Sequence, residues 1–185
     1  MRIISVYWEQ LGQMYFVRPI AAILAIAGLF AVLTALVTAL PGHASAAEQP
    51  LPLPRFVSLK SSEVNLRTGP GIRYPIEWVY QRRGLPVEIT AEFDNWRRVR
   101  DAQGAVGWIH RSLLSGRRTA MVVEAERLFR RQPQEDAPGA FRAAAGVLVE
   151  IITCDSIWCQ MVQGETTAWT RQKGLWGVYP GEKIK

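Results

Sequence analysis

The sequence predicts an all-β protein: two tandem small β-barrels behind an N-terminal apolar helix that exports or anchors the chain. Three observations carry this reading. Residues 20 to 40 hold no charge. Beyond them, no apolar pattern at helical spacing lasts more than two turns, while Gly, Pro, Val, Ile, Thr and Trp recur in short runs. The remainder also repeats itself. Gly84-Leu-Pro-Val-Glu-Ile-Thr-Ala-Glu-Phe-Asp-Asn-Trp96 lies without a gap over Gly146-Val-Leu-Val-Glu-Ile-Ile-Thr-Cys-Asp-Ser-Ile-Trp158, with Gly, Val, Glu, Ile and Trp coinciding.

The apolar stretch comes first. At about 1.5 Å per helical residue it is long enough to cross a bilayer. Arg2 and Arg18 precede it against a single Glu9, which leaves the N-terminus in the cytoplasm. Small residues follow it, and Ala44-Ser-Ala46 fits a cleavage before Ala47. The apolar core is longer than the 7 to 15 residues usual for a signal peptide, so cleaved signal and retained anchor both stand. A start at Met14 would leave Met14-Tyr-Phe-Val-Arg18 as a short basic leader. The only cysteines are Cys154 and Cys159, which excludes a lipid-anchored lipoprotein. The expected location is therefore outside the cytoplasm, periplasmic or extracellular, with anchorage in the inner membrane if the helix is kept.

Four segments result: 1–46 as signal peptide or anchor, 47–55 as a spacer, and two copies at 56–118 and 119–185. The spacer places prolines at 50, 52 and 54, which makes a stiff polyproline II stalk with no apolar face to bury. Within the first copy, Val64-Asn-Leu-Arg precedes the turn Thr68-Gly-Pro-Gly71, and a long irregular loop leads to residues 76–80. Val87, Ile89 and Ala91 alternate with Glu88, Thr90 and Glu92 as a strand with one buried face. Turns at Asp94-Asn95 and Asp101 to Gly104 then deliver Trp96 to Arg100 and Ala105 to Ile109. Five short strands in this order make a small barrel, a shape that protects its edges.

Val64-Asn-Leu-Arg-Thr-Gly-Pro-Gly71, Gly84-x-x-Val87, Trp96-x-x-Val99 and Gly107-Trp-Ile109 together resemble the bacterial SH3-like (SH3b) domain in its exported tandem form. The first copy matches almost throughout. The second has Arg130-Arg-Gln-Pro-Gln in place of the glycine turn, so its second half carries the likeness. The resemblance implies small β-barrels that bind cell-wall material or peptides, and it supplies no catalytic residues.

Cys154 and Cys159 flank a hairpin turn, where opposed positions fall within the Cα range a disulfide spans. Export favours the oxidised state. In the repeat register they coincide with Glu92 and Arg97, so one cross-strand site is filled by a charge pair in one copy and by thiols in the other. Four intervening residues do not suit a thioredoxin-type centre, and two Cys with His110 do not make a zinc site. His110 lacks a nucleophile-and-base constellation, and Arg171 stands at its place in the second copy. Thr68-Gly-Pro-Gly71 lacks the Lys and Ser/Thr of a phosphate loop. No cofactor, metal or catalytic residue is expected.

The aromatic residues mark a candidate groove. Trp96, Trp108, Trp158 and Trp169 repeat between copies and suit the core or the barrel rim. Tyr74, Trp78 and Tyr80 follow the long loop and, in the ungapped register, meet no aromatic counterpart. With Trp108 they form the expected ligand groove. Charge is concentrated toward the first copy: residues 55–118 hold twelve Lys and Arg against six Asp and Glu, and residues 119–185 hold eight of each. Arg82, Arg83, Arg97, Arg98 and Arg100 would form a basic face for anions outside the cytoplasm. The reading is a non-enzymatic binding module for a cell-wall peptide, peptidoglycan or an envelope protein, or else a membrane-anchored structural or sensory arm. Export argues against nucleic acid, and membrane contact is expected only if the helix is uncleaved.

Overall fold

The computed structural model describes residues 51–185, which lie within one compact unit. The apolar segment and the Ala46-Ala47 cleavage position fall outside the described residues. The first copy has β1 (Arg55–Leu59), β2 (Val64–Arg67), β3 (Ile76–Tyr80), β4 (Pro86–Phe93), β5 (Trp96–Arg100), β6 (Val106–His110), a 3-10 turn at Arg111–Leu113, and β7 (Leu114–Ser115). The second has β8 (Thr119–Val122), β9 (Arg127–Arg130), β10 (Gly139–Ala143), β11 (Leu148–Asp155), β12 (Trp158–Gln163), β13 (Thr166–Arg171) and β14 (Leu175–Trp176), followed by β15 (Lys183–Ile184).

The two sheets have the same topology. The first runs β3-β2-β6-β5-β4-β1-β7 and the second β10-β9-β13-β12-β11-β8-β14, with β15 added to β11. All pairings are antiparallel. Each copy carries seven corresponding strands where five were expected, because the chain also pairs at β1 and at the short closing strand after the 3-10 turn. The hydrogen-bonded order is open among the described strands, ending at β3 and β7 in one sheet and at β10 and β14 in the other. Val64, Leu66, Val87, Ile89, Val99 and Ile109 fill the first core, and Val122, Phe129, Val149, Ile151, Met161 and Ala168 the second.

Even the irregularities repeat. Register shifts fall between Ile89 and Ala91 on β4 and between Ile151 and Thr153 on β11. A second pair lies between Leu66 and Arg67 in the β2–β3 ladder and between Gly139 and Phe141 on β10. Such bulges bend a strand and turn its later side chains. They explain why Ala91 leaves the alternation that the sequence suggests beyond Ile89.

The register itself differs from the ungapped alignment before β4. Arg67 faces Trp108 and Arg130 faces Trp169, so Leu66 corresponds to Phe129 and not to Leu128. Trp78 opposes Leu66 as Phe141 opposes Phe129. Trp78 therefore has an aromatic counterpart after all. The disulfide Cys154–Cys159 is present, and its Cα atoms lie 4.1 Å apart at directly opposed positions. Glu92 opposes Arg97 in the same way, with Arg97 Nε 3.1 Å from the carboxylate.

Replacing both cysteines by serine is expected to lower stability by about 2 kcal/mol, as the chain-entropy model gives for so short a loop. The Cys154→Glu/Cys159→Arg variant should be less stable still, because both positions are buried in the second core and a charge pair there loses its hydration. Urea midpoints of the non-reduced protein measure both; equal midpoints for the wild type and the serine variant would contradict the assignment of stability to the crosslink.

Candidate functional site

The loop between β2 and β3 is organised by one arginine and one tyrosine. Arg67 Nη1 donates to the carbonyls of Ile72 at 3.0 Å and Tyr74 at 2.7 Å, while the Thr68 amide reaches Pro75 O at 3.1 Å. The Tyr74 ring lies so close to the turn that a Cβ on Gly69 would stand 2.4 Å from it. Glycine is needed there for close approach. The second copy builds the same loop without glycine: Arg130 Nη1 donates to Ala137 O at 2.8 Å and the Arg131 amide to Pro138 O at 2.9 Å. Small, buried Ala137 stands where Tyr74 stands, so no ring needs the space.

The four groove candidates separate. Trp78 is 58% exposed on β3, an edge strand, with Ile76 48% and Ile72 82% exposed beside it in sequence. Tyr74 is half-buried against the turn glycines, and Arg73 lies over its ring at 5.2 Å. Trp108 is half-buried on β6, opposite Arg67 and Arg98. Tyr80 departs from the expectation: it is 6% exposed, and its hydroxyl donates to buried Asp101 at 2.9 Å. Asp101 also accepts the amides of Gln103 and Ala105, so this phenol belongs to the core and braces the following turn.

The basic face also breaks up. Arg97 pairs with Glu92 and donates to the carbonyls of Asp94 and Trp96. Arg82 donates to Gly146 O of the second copy at 2.8 Å. Arg100 is taken by Glu88, through bonds of 2.7 and 2.9 Å to one carboxylate oxygen. Of the five, Arg83 and Arg98 alone have neither an ion pair nor a side-chain hydrogen bond among the described residues.

Glu88 leads to a feature that the sequence reading missed. Phe56, Glu88 and Arg100 face one another across β1, β4 and β5, on the side away from the first core. The second copy covers this row. Phe56 meets Trp176 edge-on at 5.0 Å and Tyr179 at 4.7 Å, and the Arg100 guanidinium lies 5.2 Å over Trp176. Trp176 Nε1 donates to Pro86 O at 3.0 Å, and the Tyr179 hydroxyl donates to Glu88 Oε1 at 2.9 Å. Glu88 is consequently 4% exposed, where alternation alone placed it in solvent. Gly177 packs tightly here: a Cβ would stand 2.2 Å from Thr119 O of its own copy and 3.2 Å from Pro86 Cβ of the first. Trp176, Tyr179 and Phe56 have no aromatic counterpart in the other copy, so a search for repeats passes over them.

His110 is a local cap. Its Nδ1 lies 2.7 Å from Ser112 Oγ and accepts the Ser112 amide, and its ring meets Trp96 edge-on at 5.4 Å. Arg171 sits 5.2 Å over Trp158 at the corresponding place. Among the described residues, no three His, Cys, Asp or Glu side chains group as a metal site, and no helix is long and apolar enough to cross a membrane.

Two copies of one antiparallel topology, each with an arginine-braced loop before its edge strand, define a tandem of small β domains. Residues 60–116 and 123–177 both match the family model of the bacterial SH3 domain, together more than half of the chain. The chain belongs to that family, in tandem form. Among solved structures it is similar to NlpC1 from Trichomonas vaginalis, at 16% identity over 73% of this chain and 51% of that one, with a TM-score of 0.31. It is also similar to an NlpC/P60 family protein from Bacillus cereus, at 13% identity over 65% of this chain and 55% of that one, with a TM-score of 0.31. The chain spans about half the length of these proteins. A comparison with curated proteins finds no match.

Burial, and then the bond to a carboxylate, raise the phenols of Tyr80 and Tyr179 well above their ordinary 10. A raised value means that their stabilisation is complete below pH 10 and is withdrawn as pH rises beyond it. Unfolding midpoints should therefore fall between pH 9 and pH 11, and fall less in the Tyr80→Phe/Tyr179→Phe variant. An equal fall in both proteins would assign the alkaline loss to other groups.

Proposed function

We propose that this protein is an exported, non-enzymatic binding module that takes cell-envelope peptides or peptidoglycan on its first copy. Membership of the bacterial SH3 family supports a binding role. The observation that carries the placement is Trp78, more than half exposed on an edge strand beside an ordered loop. A large aromatic held open on rigid backbone provides contact area at low entropic cost, and an unpaired strand edge offers main-chain hydrogen bonds to an extended peptide. The second copy lacks this arrangement. Its counterpart, Phe141, stacks on Phe129 at 4.5 Å with a 14° interplanar angle, so it serves the core.

The seam between the copies favours a second reading, an extracytoplasmic arm held by an uncleaved helix. Two copies joined through Glu88 and Trp176 would suit such an arm, because they pack as one body. The two readings differ at the N-terminus. Fractionation with N-terminal peptide mapping is expected to find a start at Ala47 in the soluble envelope fraction. An intact N-terminus in membranes would favour the arm.

Sedimentation with purified sacculi tests the first reading directly. The wild-type protein should co-sediment, and Trp78→Ala should reduce the bound fraction several-fold while leaving the unfolding free energy within about 0.5 kcal/mol, as for other exposed positions. No sedimentation by the wild type would remove the cell-wall assignment.

A further inference from the structure

The second copy carries a cavity of about 540 Å³ between the tip of the disulfide hairpin and the segment that follows β13. Its volume lies within the 300–1,000 Å³ typical of small-ligand sites. Ile157, Leu175, Val178 and Pro180 supply its apolar lining, and Arg171 and Lys173 supply charge. No acidic residue lines it. Its remaining polar side chain of size, Gln172, is already satisfied, donating to Glu182 O at 2.7 Å and accepting the Gly181 amide at 2.8 Å.

Three features show that the walls are preformed. The Cys154–Cys159 bridge closes the hairpin immediately behind its tip. Asp155 Oδ1 accepts the amides of Ile157 and Trp158, each at 2.8 Å, and those bonds hold its carboxyl below the ordinary range. Ser156 has φ of 106°, a conformation costly for a residue with a Cβ, and this places 55% exposed Ile157 at the cavity edge. The equivalent turn of the first copy uses Asp94 at φ 49°, in the left-handed region that Asp tolerates. Strain and crosslink together are confined to the copy that has the cavity.

The charged groups are available. Arg171 is paired through Nε with the exposed Glu135, and its guanidinium is steered over Trp158 at 5.2 Å. Its terminal nitrogens have no hydrogen-bond acceptor among the described residues, and the Lys173 ammonium has no ion pair among them. Two cations over an apolar floor select an anion with an apolar body. We infer that this cavity is a second ligand site, independent of Trp78, for a short peptide of small apolar residues ending in a free carboxylate. The carboxylate meets Arg171 and Lys173, and the side chains lie against Ile157, Leu175 and Val178.

The test uses the full-length protein in detergent micelles, titrated with N-acetyl-trialanine as free acid and as C-terminal amide, and followed by amide chemical shifts. The free acid should give saturable shifts at Ile157, Lys173, Gly174 and Gly181. The amide should bind at least tenfold more weakly, and so should the acid to Lys173→Gln, whose exposed side chain makes no ion pair or hydrogen bond among the described residues. Arg171→Gln is expected to do the same, with Lys60→Gln as the unaffected control. No shifts, equal binding of acid and amide, or unchanged binding to Lys173→Gln would each overturn the assignment. Shifts confined to residues 68–80 would also overturn it and would speak for the Trp78 surface instead.

Discussion

The arrangement of this protein depends on how Glu88 is buried. An ionised carboxylate taken out of water costs several kcal/mol unless its oxygens are bonded. Here one oxygen takes two bonds from Arg100, a residue of the same copy, and the other takes the Tyr179 hydroxyl from the second copy. Phe56, in the same cross-strand row, is covered only because Trp176 and Tyr179 lie on it. The outer face of the first sheet is thus completed by the second copy. The tandem is a single body whose second half covers the outer face of the first half's sheet.

That seam decides which surfaces remain for ligands. It consumes Arg82 and Arg100, and the Glu92 charge pair consumes Arg97, so the positive surplus of the first copy is largely structural. What stays open lies elsewhere: the β3 edge with Trp78 and, in the second copy, the cavity under the disulfide hairpin. The C-terminal segment serves both the seam and the cavity. Tyr179 presses on the first copy while its neighbours Val178 and Pro180 line the pocket.

Much of this was legible in the sequence where chemistry repeats locally. Val87 and Ile89 announced a core face by alternation, and the Cys154–Cys159 spacing announced a crosslinked hairpin. Where the reading failed, a local pattern met a long-range cause. The missing residue of register before β4 hid the equivalence of Trp78 and Phe141, because loop length carries no hydrophobic signal. Tyr80 reads as a surface aromatic until Asp101, buried at a distant turn, accepts its hydroxyl. Glu88 reads as solvent-facing until another copy's tyrosine arrives. The glycine turn at 68–71 looked like the mark of the loop, yet the copy without it folds the same loop.

The comparison of the two loops shows which interaction is fundamental. Arg67 and Arg130 place their guanidinium groups on the same carbonyl, that of Tyr74 or Ala137, and the amides of Thr68 and Arg131 close the same backbone ring. The loop is specified by an arginine bonded to main chain, and main-chain carbonyls are present whatever the side chains are. Glycine at position 69 answers a narrower need, room for the Tyr74 ring. Freed from specifying the fold, the side chains of loop and hairpin have diverged: an aromatic turn and a charge pair in one copy, a small residue and a disulfide in the other. The same backbone therefore offers an exposed aromatic edge in the first copy and a braced, cationic cavity in the second.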